Sequence, residues 1–350
     1  MALTPAKSAV DDYERWLKTQ CAVVPGALAR KRKAMAEGAF AFLRATSFRF
    51  AAQIQAMLPG LATATMVPSC GDAHTANFGT WRDAEGRLAW GVNDLDDCAM
   101  LPWPIDLVRL ATSALLLPDA PRAGEAGAAV LTGYAGRLRA PRGFVLDEDN
   151  ADLRAFVSPD AAARRKFWAK VDALPSAEPP AEWQVALLAD LPASAALERF
   201  AAREAGLGGL GRPRFVAIAQ WRGGRVVREA KARVPGAWFM ARFPQAGPLD
   251  PATLLACPGR VPDPWLVLHP GFVVRRLAPD SDKLSPPKGD AAALLTLLEA
   301  MGGELANLHA SGGQAAAVSA DLRRRPPAWL HDASKEMAAT VTADWRDFAA

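Results

Sequence analysis

Asp72, His74 and Asn77 fall within six residues of one another in the segment GDAHTANFG, and Asp94, Asp96 and Asp97 follow in VNDLDD. These types at this spacing suit phosphoryl transfer. A carboxylate must accept or orient an acceptor hydroxyl, and hard oxygen ligands must hold Mg²⁺ against the phosphates. Asp72 takes the first task. The amide oxygen of Asn77 and the carboxylate of Asp94, which stands after the apolar run LAWGV, take the second, with Asp96 as a further metal ligand. His74 orders the loop by hydrogen bonding rather than acting as acid or base. Asp and Asn also gather in turns because they bond their own backbone, but two such turns with a hairpin between them argue for a site.

Gly206, Gly208 and Gly211 form G-x-G-x-x-G. A dinucleotide fold needs a helix directly after the glycines. RPRFVAIAQWRGG is instead rich in β-branched and aromatic residues and ends in a hairpin signal at Gly223-Gly224. A glycine turn before β structure can cover nucleotide phosphates with its backbone N–H groups. A cation should then face the phosphates from the following strands. Lys231 and Arg228 are rivals, and their odd separation puts them on opposite faces of a regular strand. Arg275, Arg276 and Lys283 in FVVRRLAPDSDK either touch phosphate or are surface charges.

The pattern Gly71-Asp72-x-His74-x-x-Asn77 resembles the aminoglycoside and choline phosphotransferase branch of the protein kinase-like superfamily. VNDLDD resembles that branch's metal-binding segment, and Asp106-Leu107 its following helix. More closely, the chain resembles a bacterial family of unknown function with GDxHxxNFG, NDFD and DLxRLxxS motifs, over most of its length from about Lys33. The resemblance implies an α+β, two-lobed kinase-like fold, ATP and Mg²⁺ as cofactors, a catalytic Asp72, and Asn77 and Asp94 as metal ligands. It favours Lys231 over Arg228, and with the glycine turn and Arg275 this makes the nucleotide set. The order is reversed, however, since the glycine turn and Lys231 follow the catalytic Asp. GGELANLHA near the C-terminus resembles the helix that precedes the catalytic loop in the branch, so the chain looks circularly permuted. His309 in that segment is expected to be a helix-end residue facing the core. Two departures stand out. Cys70 replaces a His common in the branch, and no Glu follows Lys231 through Trp265 to orient it. Glu229 and Glu304 are both open as substitutes.

Positioning these residues requires helices over 8–58, an extended entry at TATMVPS, a hairpin turning at Ala84-Glu85-Gly86, and a helix over Ile105–Leu117. A Pro-rich segment at 173–183 reads as a linker or surface loop. A helix near 186–205, two strand pairs, an amphipathic helix over 290–310 and another over 329–348 complete the reading. The regions are a helical catalytic-loop lobe (1–195), a β-rich nucleotide lobe (196–285) and C-terminal helices that return to the first lobe (286–350).

With 350 residues, 51% apolar and 22% charged, the composition is that of a soluble globular chain. The net charge of +4 is small for the length. The KRK at 31–33 reads as a solvated helix face, so no nucleic-acid partner is expected. Four scattered cysteines without a CxxC pair, and no signal-like or membrane-length apolar run, point to a cytoplasmic protein. The expected partners are a nucleotide and a small-molecule acceptor. The expected function is Mg-ATP-dependent transfer to a hydroxyl; a non-catalytic nucleotide-binding pseudokinase and a nucleotidyltransferase are the alternatives.

Overall fold

A computed structural model describes residues 3–147, 150–157, 161–284 and 288–350; the sequence boundary at 285/286 lies outside them. Four helices open the chain, α1 (Ala6–Gln20), α2 (Ala27–Ala36), α3 (Ala39–Ala45) and α4 (Ser47–Met57). β1 (Met66–Ser69) leads into the GDAHTANFG loop. β2 (Phe78–Arg82) and β3 (Leu88–Val92) form the expected antiparallel hairpin, with Phe78 opposite Val92 and Arg82 opposite Leu88. β4 (Ala99–Pro102) follows VNDLDD and pairs with β1. That pairing brings the exit of one acidic loop beside the entry of the other, so the two loops lie together.

α5 (Pro104–Leu115) starts on a proline, whose fixed φ suits the first turn, and is buried from Pro104 to Ala114. α6 (Ala123–Leu138), the two-residue β5 (Phe144–Val145) against β3, and α7 (Ala151–Arg154) follow. Then come α8 (Ala161–Asp172), α9 (Ala181–Ala189), β6 (Ala196–Ala202), β7 (Arg214–Trp221), β8 (Gly224–Ala232), α10 (Ala237–Met240), α11 (Pro251–Leu255), β9 (Val267–His269) and β10 (Phe272–Leu277). The chain closes with α12 (Ala291–Ala310), α13 (Ala315–Arg324) and α14 (Trp329–Ala349). The fold is mixed α and β.

β6 to β10 form one antiparallel sheet in the order β6-β7-β8-β10-β9. Val171 of α8 packs with Val216, Ile218 and Val227 on one face, and Trp183 and Leu187 of α9 pack with Ala217, Ala230 and Val274 on the other. The elements that cover the strands therefore begin before residue 196. The remaining helices and short sheets share the main core, in which α6 and α12 make the most extensive helix contact.

Two expectations are corrected. The helix near 186–205 ends at Ala189, and ALERFAA is strand β6. Its residues favour a helix locally, but pairing with β7 and burial of Phe200 and Ala201 on opposite faces override that preference. The 290–310 helix is present but not amphipathic throughout, because every residue from Met301 to His309 is buried. α6 approaches so closely that a Cβ on Gly302 would stand 2.1 Å from the Val130 carbonyl oxygen. α12 is long and apolar enough to cross a membrane by length and composition, and 67% of that stretch is buried inside the fold.

Candidate active site

Three polar side chains of α5 hold the GDAHTANFG loop. Asp106, Arg109 and Ser113 recur at helical spacing on one face of an otherwise apolar helix. Asp106 accepts from the N–H groups of Cys70 (2.9 Å) and Gly71 (3.1 Å). Arg109, fully buried, donates through Nε (2.7 Å) and Nη2 to Asp72 Oδ1. Ser113 Oγ accepts from Thr75 N at 3.0 Å. Asp106 Oδ2, which accepts from Cys70, also meets His309 Nε2 at 3.3 Å, and His309 Nδ1 meets the Tyr134 hydroxyl at 2.8 Å. His309 thus faces the core as expected, within a buried polar chain under the loop. Gly71 has φ +77°, and a Cβ there would stand 1.9 Å from the Asp97 carbonyl oxygen, so only glycine fits where the two acidic loops touch. Asp106→Ala strips two buried N–H groups of their acceptor. It should cost about 3 kcal/mol in urea unfolding, with a smaller loss for Asp106→Asn, which keeps one acceptor.

Asp72 is the group these contacts aim. Burial alone would raise its pKa, but the charge of Arg109, together with His74, holds it well below the usual carboxylate range. His74 Nδ1 accepts from Ala76 N (3.1 Å), and its Nε2 lies 3.5 Å from Asp72 Oδ2, which is the ordering role read from the sequence. Asn77 staples the two loops. Its Nδ2 donates to the carbonyls of Asp72 (3.1 Å) and Asp94 (3.0 Å), and its Oδ1 accepts from Asp94 N (3.1 Å).

Lys231 and Arg228 point to opposite faces of β8. Arg228 Nε donates to the Asp190 carbonyl at the end of α9. Lys231 Nζ lies 2.6 Å from Asp94 Oδ2 and 2.7 Å from Asp96 Oδ2. Lys231 therefore holds the cleft side. Burial opposes ionisation of Asp94, and the ammonium outweighs it, aided by Arg214 and Arg275, so its carboxyl stays well below the ordinary range. Asp96 also takes Arg212 Nη1 at 3.0 Å. Asp94 and Asp96, two of the three metal ligands expected from sequence, thus have an ammonium between their carboxylates. Among the described residues no three His, Cys, Asp or Glu side chains gather as a self-sufficient metal site. Asp97 accepts from Ala237 N at 2.7 Å. Burial and the nearby Asp72 push its carboxyl up to about 6.

The glycine turn joins β6 to β7, with Gly206 (φ +73°) and Gly211 (φ +99°) in the left-handed region. It rests on the N-terminal helices: Lys31 Nζ donates to the Gly208 carbonyl (3.0 Å) and Val24 N to that of Gly211 (3.0 Å). Lys31 is buried above the Tyr13 ring, so the KRK segment is not a wholly solvated face; only Lys33 of the three is exposed. A cavity of about 310 Å³ is lined by Gly206 and Gly208 together with Asp72, Asn77, Asp94, Asp96 and Arg275. Gly211 is not part of its wall.

Glu229, wholly buried beside Lys231 in β8, binds three arginines and not the lysine. Arg203 engages Oε2, while Arg214 (3.2 Å) and Arg275 (2.8 Å) engage Oε1. Glu304 is spent on Arg260 (3.2 Å) and Val92 N (3.2 Å). Neither takes the place of the missing lysine partner. Sequence reasoning met Asp106, Arg109 and Ser113 only as the DLxRLxxS motif, with no part in holding the loop, and met Arg275 only as a nucleotide contact, without the cluster it forms with Arg203 and Arg214. The signal for the first three was polar residues at i, i+3 and i+7 in an apolar helix.

An α+β protein with an acidic double loop, a buried lysine and a glycine turn around one cleft is the class that fold and site define. Residues 23–137 match a family described as an uncharacterized protein conserved in bacteria (DUF2252). The matched stretch contains Asp72, Asn77, Asp94 and Arg109 and ends before the glycine turn. No curated protein and no solved structure matches the chain.

Proposed function

We propose that the protein is a Mg-ATP-dependent phosphotransferase with a permuted kinase-like arrangement, acting on a hydroxyl acceptor. One observation carries the reading. Lys231 Nζ lies 2.6 Å from Asp94 Oδ2 although the two are 137 residues apart, and Asp94 in turn lines the cavity that holds Asp72, Asn77, Gly206 and Gly208. In protein kinases a glycine loop covers the phosphates and the lysine stands on the third strand of the small lobe. Here the glycine turn joins the first two strands of the five-stranded sheet, and Lys231 is on the third in chain order.

The residues divide the work. Asp72, too acidic to hold a proton early, orients the acceptor hydroxyl and receives its proton late, which suits a loose phosphoryl-transfer transition state. Lys231 exchanges Asp94 and Asp96 for phosphate oxygens. The turn's N–H groups bound the phosphates from above. Asn77 and Asp94 are hard-oxygen donors, each keeping a free lone pair, and so fit Mg²⁺ held jointly with phosphates. The bound ion supplies charge neutralisation for the transferring group. Asp94→Ala is expected to weaken Mg·ATP binding at least tenfold in calorimetry, the scale of a lost metal ligand. Unchanged affinity would remove Asp94 from the metal site.

The lack of a glutamate partner on Lys231 favours a second reading, a protein that binds nucleotide without transferring it. Thermal stabilisation by Mg·ATP with no ATP consumption over a broad acceptor panel would select it. Product mass distinguishes the third option, since added AMP marks nucleotidyl transfer and added phosphate marks a kinase.

A further inference from the structure

Nearly every cation on the cleft wall is matched. Lys231 and Arg212 face Asp96, Arg203, Arg214 and Arg275 share Glu229, and Arg276 meets Asp280 at 3.4 Å. Two are not. Arg44, at the end of α3, makes no ion pair among the described residues. Its Nε is buried without a hydrogen-bond partner among the described residues, and its guanidinium lies 5.6 Å from the Phe40 ring. Lys283, on the segment after β10, likewise has no carboxylate or hydrogen-bond acceptor on its ammonium among the described residues. Both line the cavity that contains Asp72, His74 and Ala76.

Both cations line one cavity, and the charge of Arg44 acts on Lys283. Lys283 is exposed overall, yet packing around it and the charges of Arg44 and Arg275 lower its pKa to about 8. Arg44 in turn feels the carboxylate of Asp72, but that carboxylate is already bound to Arg109. A buried donor without an acceptor is costly, and two like charges brought together add to that cost. Such a pair is stabilised by an anion placed between them, and guanidinium is well shaped to grip carboxylate or phosphate.

We infer that Arg44 and Lys283 form an anion subsite at the acceptor end of the cleft, so that the hydroxyl acceptor aligned by Asp72 carries a phosphate or carboxylate group. This rests on the phosphotransfer reading for the word acceptor, but the subsite itself stands on the unmatched cations. It also sets this cleft apart from one built for a cationic amino sugar or amino alcohol, which would need unpaired carboxylates at that end.

The test uses the full chain. Affinity for Mg·AMPPNP is measured first, so that failure to bind nucleotide counts against the phosphotransfer reading alone. Inorganic phosphate, acetate and choline are then titrated in separate calorimetric runs, with AMPPNP saturating wherever it binds and on the free protein otherwise. Saturable binding of phosphate or acetate is expected, weakened at least fivefold in Arg44→Gln and in Lys283→Gln and restored in Arg44→Lys. Whichever of phosphate and acetate binds more tightly assigns the anion. Circular dichroism confirms that each variant is folded, and Lys283→Gln, altered at an exposed position, serves if Arg44→Gln is not. No saturable binding of either anion, wild-type affinity retained in both Gln variants, or tighter binding of choline would overturn the subsite.

Discussion

Asp72→Asn is expected to lower phosphoryl transfer by about 10²–10⁴-fold, the range for loss of a positioned acid–base group, while Mg·ATP affinity is unchanged. The same substitution has a second cost. Arg109 is fully buried, and Asp72 is its counter-charge. Leaving that guanidinium unpaired should destabilise the fold by about 3 kcal/mol, the scale for breaking a buried pair. The two effects separate in a double variant. Asp72→Asn with Arg109→Met removes the orphan charge while keeping an apolar chain against Phe50, over whose ring the guanidinium sits at 4.7 Å. Stability should partly return and turnover should not. Turnover that recovers along with stability would show that Asp72 acts on the fold and not on the acceptor.

Glu229→Gln should be the most destabilising conservative change in the five-stranded sheet. One carboxylate with no exposure is shared by Arg203, Arg214 and Arg275. An amide keeps the shape but leaves three guanidinium groups around an uncharged centre, for about 3–5 kcal/mol. The pH dependence carries a sign. Burial opposes ionisation of Glu229, and Arg275, Arg214 and Arg203 outweigh it, so the folded-state pKa lies well below the ordinary glutamate value. The unfolded chain therefore binds a proton more readily. The stabilisation is complete above the unfolded pKa of about 4.3 and is lost as pH falls through the folded value. Urea unfolding from about pH 7 to pH 3 should show wild-type stability falling toward that of Glu229→Gln at the acid end. A constant gap between the two proteins across that range would assign the stability to shape and not to charge.

The chemistry-bearing loops were legible in the sequence because their geometry is local. GDAHTANFG and VNDLDD flank a hairpin whose turn and alternation are written in adjacent residues, so Asp72, Asn77 and Asp94 could be named before any fold was known. The choice between Lys231 and Arg228 was half legible. Strand alternation demanded opposite faces, but which face met the cleft depended on α9, which packs Trp183 and Leu187 over one side and leaves the other to α8 and the acidic loops.

Partnerships across the chain were not legible. Arg109 reads as one of two charges in an otherwise apolar helix until Asp72 is placed beside it, and Glu229 reads as a strand residue until Arg203, just after β6, Arg214 of β7 and Arg275 of β10 close around it. ALERFAA has helical propensity, and only pairing with the edge of β7 makes it strand β6. Lys31 reads as solvated from the sequence because its partners, the Tyr13 ring and the Gly208 carbonyl, lie on other elements. Local turn chemistry and strand period are short-range properties, so the sequence alone determined which polar side chains the two loops carry. Burial of charge is decided by distant counter-charges, so the tertiary structure decided which of them are held, by what, and which two cations in the cleft are left to bind something else.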